Sequence, residues 1–273
     1  MFSTSFVGVT FNIEETSAIS YKGNTLYVGG SGPGNYSKIQ DAIDEANVCD
    51  VVFVYDEASP YYENLIINRT MRLLGENKKT TIIDGMKEKD VIFVSAQDVN
   101  ISGFTIQNSK QGCSGIHCTS NSNIIHDNIF TSNFIGLCVD DSSQNHIITE
   151  NIFVENLDGI VFIGNSRNNQ ISHCYFQNNT GGICFFEKHR NSEVAYCQFF
   201  GNKHDIELER RVFFNRISCN NFLGDGIIRH WMILFIFNFY NSNYWHDWIG
   251  IGPYHIHGLF CWDWHPAKEP YDI

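Results

Sequence analysis

Between residues 51 and 240 the chain is a succession of short apolar runs broken every few positions by Asn, Ser and Gly. The runs alternate in character. In each Gly-Ile-x-apolar unit the Ile and the apolar residue two positions on fall on one face: Ile116/Cys118, Leu137/Val139, Ile160/Phe162, Ile183/Phe185 and Ile206/Leu208. Period-two alternation is the strand signal, whereas a helix needs apolar residues at i, i+3, i+4 and i+7. The runs also repeat. Phe130, Phe153, Phe176, Phe199 and Phe222 are each 23 residues apart. Two residues before them stand Asn128, Asn151, Cys174, Cys197 and Asn220. A second ladder is Gly115, Gly136, Gly159, Gly182, Asp205 and Gly226, and a third begins at Asn123, Asn145, Asn169 and Asn215. One such repeat cannot bury its own apolar face, so neighbours must stack. The pattern predicts an all-β fold, a right-handed parallel β-helix (solenoid).

Less regular strands are expected upstream, at 51–55, 64–67, 71–74, 81–83, 91–94 and 100–106. Before them Ile39, Ala42, Ile43 and Ala46 have helical spacing, with Ser37 as N-cap. A solenoid exposes apolar core and unpaired edges at its ends. This helix suits an N-terminal α-helical cap, and the aromatic segment holding Trp245, Trp248, Trp262 and Trp264 an aromatic C-terminal cap. The expected divisions are an arm or truncated leader over 1–24, the helical cap over 25–50, coils over 51–240 and the C-terminal cap over 241–273. The apolar run 231–237 is far short of the ~20 residues that span a bilayer and reads as buried strand.

Stacking at ~4.8 Å per rung brings equivalent residues into register. Inward Asn side chains are then expected to form an amide ladder, as in cross-β assemblies. Cys174 and Cys197 occupy that ladder on adjacent rungs. In-register Cβ atoms at ~4.8 Å exceed the ~3.5–4.5 Å a disulfide prefers, so they are expected as buried thiols.

Eighteen Lys+Arg against 30 Asp+Glu give a formal charge of −12. That balance argues against nucleic acid and anionic lipid as partners and fits a soluble secreted or cell-surface protein. Nine cysteines are spread singly with no C-x-x-C pair, which argues against a zinc ribbon. Sequons stand at Asn35, Asn68, Asn100 and Asn178. No cofactor and a monomeric state are expected.

The segment from Gly32-Pro-Gly-Asn-Tyr-Ser-Lys-Ile-Gln-Asp-Ala-Ile through Tyr61-Tyr-Glu and Leu73-Leu-Gly resembles the entry of pectin-lyase-like β-helix proteins. The Gly-Ile, Asn-x-Ile and Asn-x-Phe coils resemble NosD-like repeat proteins, an archaeal-type group associated with carbohydrate binding and sugar hydrolysis. The resemblance implies a carbohydrate-binding or structural surface role, with a polysaccharide or cell-surface glycan as partner. Its alternatives are a polysaccharide hydrolase or lyase working in a groove on the helix, and a copper-handling accessory protein.

Three groups of side chains carry candidate chemistry. Asp140 and Asp141 are the only acidic pair that matches a pectinolytic signature. A glycosidase needs two carboxylates ~5–9.5 Å apart, which one of them would form with Asp158; the competing reading is a solvated turn. Glu207, Glu209, Arg210 and Arg211 alternate in charge and suit a sugar-gripping edge or a salt-bridged one. His255, His257, Cys261 and His265, with His246 upstream, are donors that suit copper or zinc, or aromatic-cap packing. His117 and Cys138 are expected on adjacent rungs of one outward face, and two ligands do not make a site.

Overall fold

A computed structural model describes residues 23–140, 142–209, 211–230, 238–256 and 261–273. It is a parallel β-solenoid with three sheets running its length. The first sheet takes Val51–Val54, Arg72–Gly75, Asn100–Ser102 and then one strand every 23 residues from Ile124–His126 to Phe239–Asn241. The second takes strands such as Ile129–Thr131 and Ile152–Val154. The third takes Leu65–Ile67, Ile92–Val94, Ser114–Cys118, Ile135–Val139, Asp158–Phe162, Gly181–Phe185, His204–Leu208 and Ile227–His230. Pairing along these stacks is parallel and mostly in register at 23 residues, as in Phe130↔Phe153 and Phe153↔Phe176. The C-terminal cap adds a short antiparallel pair, Tyr254–His255 against Trp262–Asp263. The Gly-Ile-x-apolar units face inward as expected, with Ile116, Leu137, Ile160, Ile183 and Ile206 all fully buried.

The core is ordered by column. Rings of Phe130, Phe153, Phe176, Phe199 and Phe222 stack at centroid distances of 4.7, 5.0, 4.9 and 5.0 Å. The glycine column makes room for them. A Cβ on Gly136 would lie 2.6 Å from the Gly159 carbonyl oxygen and 2.9 Å from the Phe153 ring.

The amide ladders also form. Asn128 donates its backbone N–H to Asn151 Oδ1 at 3.0 Å, and Asn220 does the same to Asn243 at 3.1 Å. A parallel ladder runs Asn133, Asn156, Asn179, Asn202 through side-chain bonds of 3.0–3.2 Å. Both ladders end on an aspartate. Asn202 Nδ2 donates to Asp205 Oδ1, and the backbone and side chain of Asn243 donate to Asp263 Oδ2. Where the amide series stops, an aspartate oxygen accepts the side-chain N–H of its last member. Cys174 and Cys197 are buried free thiols.

The ends differ from expectation in two ways. The helix is Ile39–Glu45, its N-cap position is Lys38, and no side chain of its own turn caps it. Glu63 supplies the cap instead, accepting the N–H groups of Ile39 and Gln40 at 2.8 and 3.0 Å. Ser37 lies one residue too early, while the adjacent coil brings a carboxylate to the orphan donors. At the other end Trp245 stacks on Phe222 and Tyr254 on Trp245, both at 4.3 Å. Trp248 packs against the core, but Trp262 and Trp264 face solvent. Trp262 aligns with the outward column of the first sheet, because its neighbour Asp263 is the residue in register with buried Tyr240. The run 231–237 and the arm over 1–22 lie outside the described residues.

Candidate functional site

The third sheet carries the chemistry. Its outward column reads Phe93, His117, Cys138, Val161, Cys184, Glu207 and Arg229 in register. Beside it, at the strand starts, stand Asp158, Gly181 and His204. The two columns converge. A Cβ on Gly181 would lie 2.5 Å from Asp158 Oδ1 and 2.6 Å from Cys184 Sγ, so glycine leaves the space into which both side chains fold. Polar side chains therefore gather in a strip along this face, over the buried Cys138, Val161 and Cys184.

Two clusters lie in it. In the first, His117 donates from Nδ1 to Asp90 Oδ2 at 3.1 Å, and its Nε2 faces Asp140 Oδ2 at 3.4 Å. Asp90 also accepts the Ser114 N–H at 2.6 Å. The Asp90 hydrogen bond, with the charges of Asp90 and Asp140, raises the imidazole above 6.5 against the effect of burial. Phe93 packs edge-on to the ring at 5.4 Å. Cys138 is on the next rung, as expected. Burial and the two carboxylates push its thiol up to about 12, so it is a neutral thiol.

In the second cluster, Asp158 Oδ1 sits 3.7 Å from Cys184 Sγ. Burial, then the charge of Glu207, pushes the Asp158 carboxyl up to about 6. Glu207 is held 3.5 Å from His204 Nε2 and 3.8 Å from Arg229 Nη1. Asp158 leans one rung toward Glu207, which stands two rungs up and whose charge reaches it.

The structure does not bring Asp140 to Asp158. Asp158 pairs with Ile135 and Asp140 follows the strand end at Val139, five residues along. Asp140 turns back to His117 while Asp158 turns forward to Cys184, so they lean apart by more than one rung. Asp141 lies outside the described residues. The charged group Glu207 to Arg211 is also divided. The strand ends at Leu208, leaving Glu207 on the strip and Glu209 and Arg211 in the following turn. Arg210 is outside the described residues. Of the cap donors, His255 packs on Trp262 at 4.5 Å, Cys261 is in the core and His265 bonds Asn241. His257 is outside the described residues. Asp90, Cys184, His204 and Arg229 were missed in the sequence. Reading every 23rd residue down the column at 161, 184 and 207 is the signal that finds Cys184.

The family model of the periplasmic copper-binding protein NosD matches residues 49–229. The chain belongs to the NosD family. No curated protein matches it. Among solved structures it is similar to a pectin methylesterase from Aspergillus niger, 14% identical over 83% of this chain and 87% of that one with a TM-score of 0.56. It is also similar to the pectin methylesterase from carrot, 15% identical over 89% and 88% with a TM-score of 0.50. At these identities the likeness shows the β-helix fold alone. The family's description names copper. Among the described residues no three His, Cys, Asp or Glu converge as metal ligands. Nor is any helix among them long and apolar enough to cross a membrane.

Proposed function

We propose that this protein is a secreted or cell-surface β-helix that binds carbohydrate along the polar strip of the third sheet. One observation carries the reading. Asp158, His204, Glu207 and Arg229 bring acceptors and donors to neighbouring rungs of one face of the third sheet. An extended glycan offers hydroxyl groups at regular intervals to such a row of fixed acceptors and donors. The family description, a periplasmic protein, supports a place outside the cytoplasm. A glycan array on the intact chain tests it. Binding that falls with Glu207→Gln and Asp158→Asn supports the strip. Binding untouched by both changes refutes it.

A second reading, glycoside hydrolysis, is favoured by the Asp158 and Glu207 pair. Such enzymes need two carboxylates on one face, and the charge of Glu207 acts on the Asp158 carboxyl. One is held as an acid up to about 6, suited to protonating a leaving oxygen. Glu207 would then take the proton of the attacking water. Release of reducing ends by the parent but not by Asp158→Asn supports hydrolysis. A parent that binds glycan and releases nothing confines the protein to binding.

A further inference from the structure

Four Asn-x-Ser/Thr triplets stand in this chain, and an Asn-rich repeat produces such triplets by itself. Geometry separates them. Asn35 Nδ2 donates to the Gly29 carbonyl inside the glycine-rich loop before the helix. Asn100 lies in a strand of the first sheet, in register between Arg72 and Ile124, and its Oδ1 bonds His126 Nε2 at 3.1 Å. Asn68 is exposed, but its Oδ1 accepts from Arg69 Nε at 3.3 Å and the Thr70 hydroxyl donates to the Gln97 carbonyl at 2.8 Å.

Asn178 is built differently. It is exposed, in the turn between the second and third sheets, and Thr180 is exposed beside it. Its φ of 55° is left-handed, a conformation asparagine tolerates better than most residues. On the two preceding coils the same turn position holds Ser132 and Glu155, each at φ 56°. On the next two coils it holds Gly201 and Gly224. A Cβ on Gly201 would lie 2.6 Å from Asn178 Oδ1, so the carboxamide leans toward those glycines. Gly224 continues the column, since its Cβ would lie 3.1 Å from the Gly201 nitrogen. Two rungs without side chains leave an open slot roughly 10 Å long at the parallel-strand spacing. Phe200 flanks it. This ring is in register with Gln177 on the outward face of the second sheet and is 44% exposed. The Asn178 N–H donates to the Phe200 carbonyl at 3.2 Å, which holds the two rungs side by side.

We infer that Asn178 carries an N-linked oligosaccharide whose first sugars lie in this slot, against the face of Phe200. The inference rests on the placement outside the cytoplasm proposed above, and not on what the third sheet binds. The donor is a polyprenyl-phosphate-linked oligosaccharide. Asn178 Nδ2 bonds its anomeric carbon, that carbon's bond to phosphate oxygen breaks, and the amide gives up one proton as the lipid phosphate leaves. The Thr180 hydroxyl completes the acceptor triplet. A glycan is bulky and needs a surface position, which the slot supplies along the turn. The negative face of the Phe200 ring meets the partly positive C–H edge of a sugar. The glycan then covers a phenylalanine that the coil otherwise leaves in water.

The full chain, purified from the cells that make it and sorted by compartment, tests this through mass spectrometry of its glycopeptides. The expected result is an added glycan mass on the peptide holding Asn178, with Asn35 and Asn100 bare. Thr180→Ala should lose that mass and Thr180→Ser should keep it, both with unchanged circular dichroism. Phe200→Ser should keep the mass but speed enzymatic release of the glycan from the folded protein severalfold. A chain recovered outside the cytoplasm with Asn178 bare overturns the inference and leaves the location standing. A bare chain confined to the cytoplasm overturns the location and the inference together. A mass that survives Thr180→Ala overturns attachment through this triplet. Equal release from the parent and from Phe200→Ser overturns the slot.

Discussion

Replacing Asp205 by Asn should stabilise the protein at neutral and alkaline pH and remove one component of its pH dependence. Asp205 occupies the glycine column, 1% exposed. Its Oδ1 accepts from Asn202 Nδ2 at 3.0 Å, and its Oδ2 has no partner. The next coil presses on it, since a Cβ on Gly226 would lie 2.3 Å from the carboxylate. Burial pushes the carboxyl from 3.8 up to about 7. The folded chain therefore holds a proton that the unfolded chain has released between those two values. Because the folded pKa is raised, the proton's contribution is complete below 3.8 and is lost as pH rises through about 7. At ~1.36 kcal/mol per unit, the shift amounts to about 4 kcal/mol, an upper bound because a buried ion recruits water or loosens its coil. The substituted amide keeps the Asn202 bond and never ionises. The assay is urea unfolding of parent and variant from pH 4 to 8, read as the difference between the two curves, which cancels other titrating groups. The difference should grow in favour of the Asp205→Asn variant across that window and level off above it. A flat difference would refute the buried-acid account, as would a variant less stable at pH 8.

The opposite slope comes from two histidines inside the coils. Burial lowers His189 to about 3 and His146 to about 4, and neither ring nitrogen of His189 has a partner. Their stability contribution is present above 6.5 and is lost as pH falls toward those values. His189→Phe, which matches its neighbours Phe162 and Phe185, should flatten the acid limb, measured as the urea midpoint at about pH 4.5 against about pH 7; an unchanged limb rejects it. Asp263→Ala should cost about 3–5 kcal/mol, because it strands the N–H groups of Ser242, Asn243, Trp245 and His265. Hydrogen exchange should show the loss first in strand Phe239–Asn241, and equal protection there would count against the terminal-acceptor role.

The core was legible in the sequence because each inward column repeats one residue type. Phenylalanine every 23 residues can stack only if the coils are in register, and the rings do stack. The Asn ladder followed by the same logic. What could not be read was any feature set between columns. Asp205 looked like a break in the glycine series, and only the neighbouring Asn202 column shows it to be a ladder terminus. Ser37 had the right chemistry for an N-cap, but Glu63 arrives from the next coil, 23–24 residues away. The pairing of Asp140 with Asp158 failed for the same reason. A residue's place in the repeat gives its coil but not which way its side chain leans along the axis, and these two lean oppositely.

That same geometry dictates where function can sit. An inward position is constrained by the rungs above and below, so change there is penalised by two neighbours at once. An outward position is constrained by packing much less, and one substitution alters one rung. A site on a solenoid therefore has to be assembled from several consecutive outward positions, as the coils holding Asp158, Cys184 and Glu207 are. The strand His204–Leu208 joins the two worlds. It presents His204 and Glu207 to the strip and buries Asp205 within the glycine column between them. Ionisation of Asp205 above about pH 7 loosens the very strand that positions Glu207, so the stability of this coil and the geometry of the strip should shift together with pH.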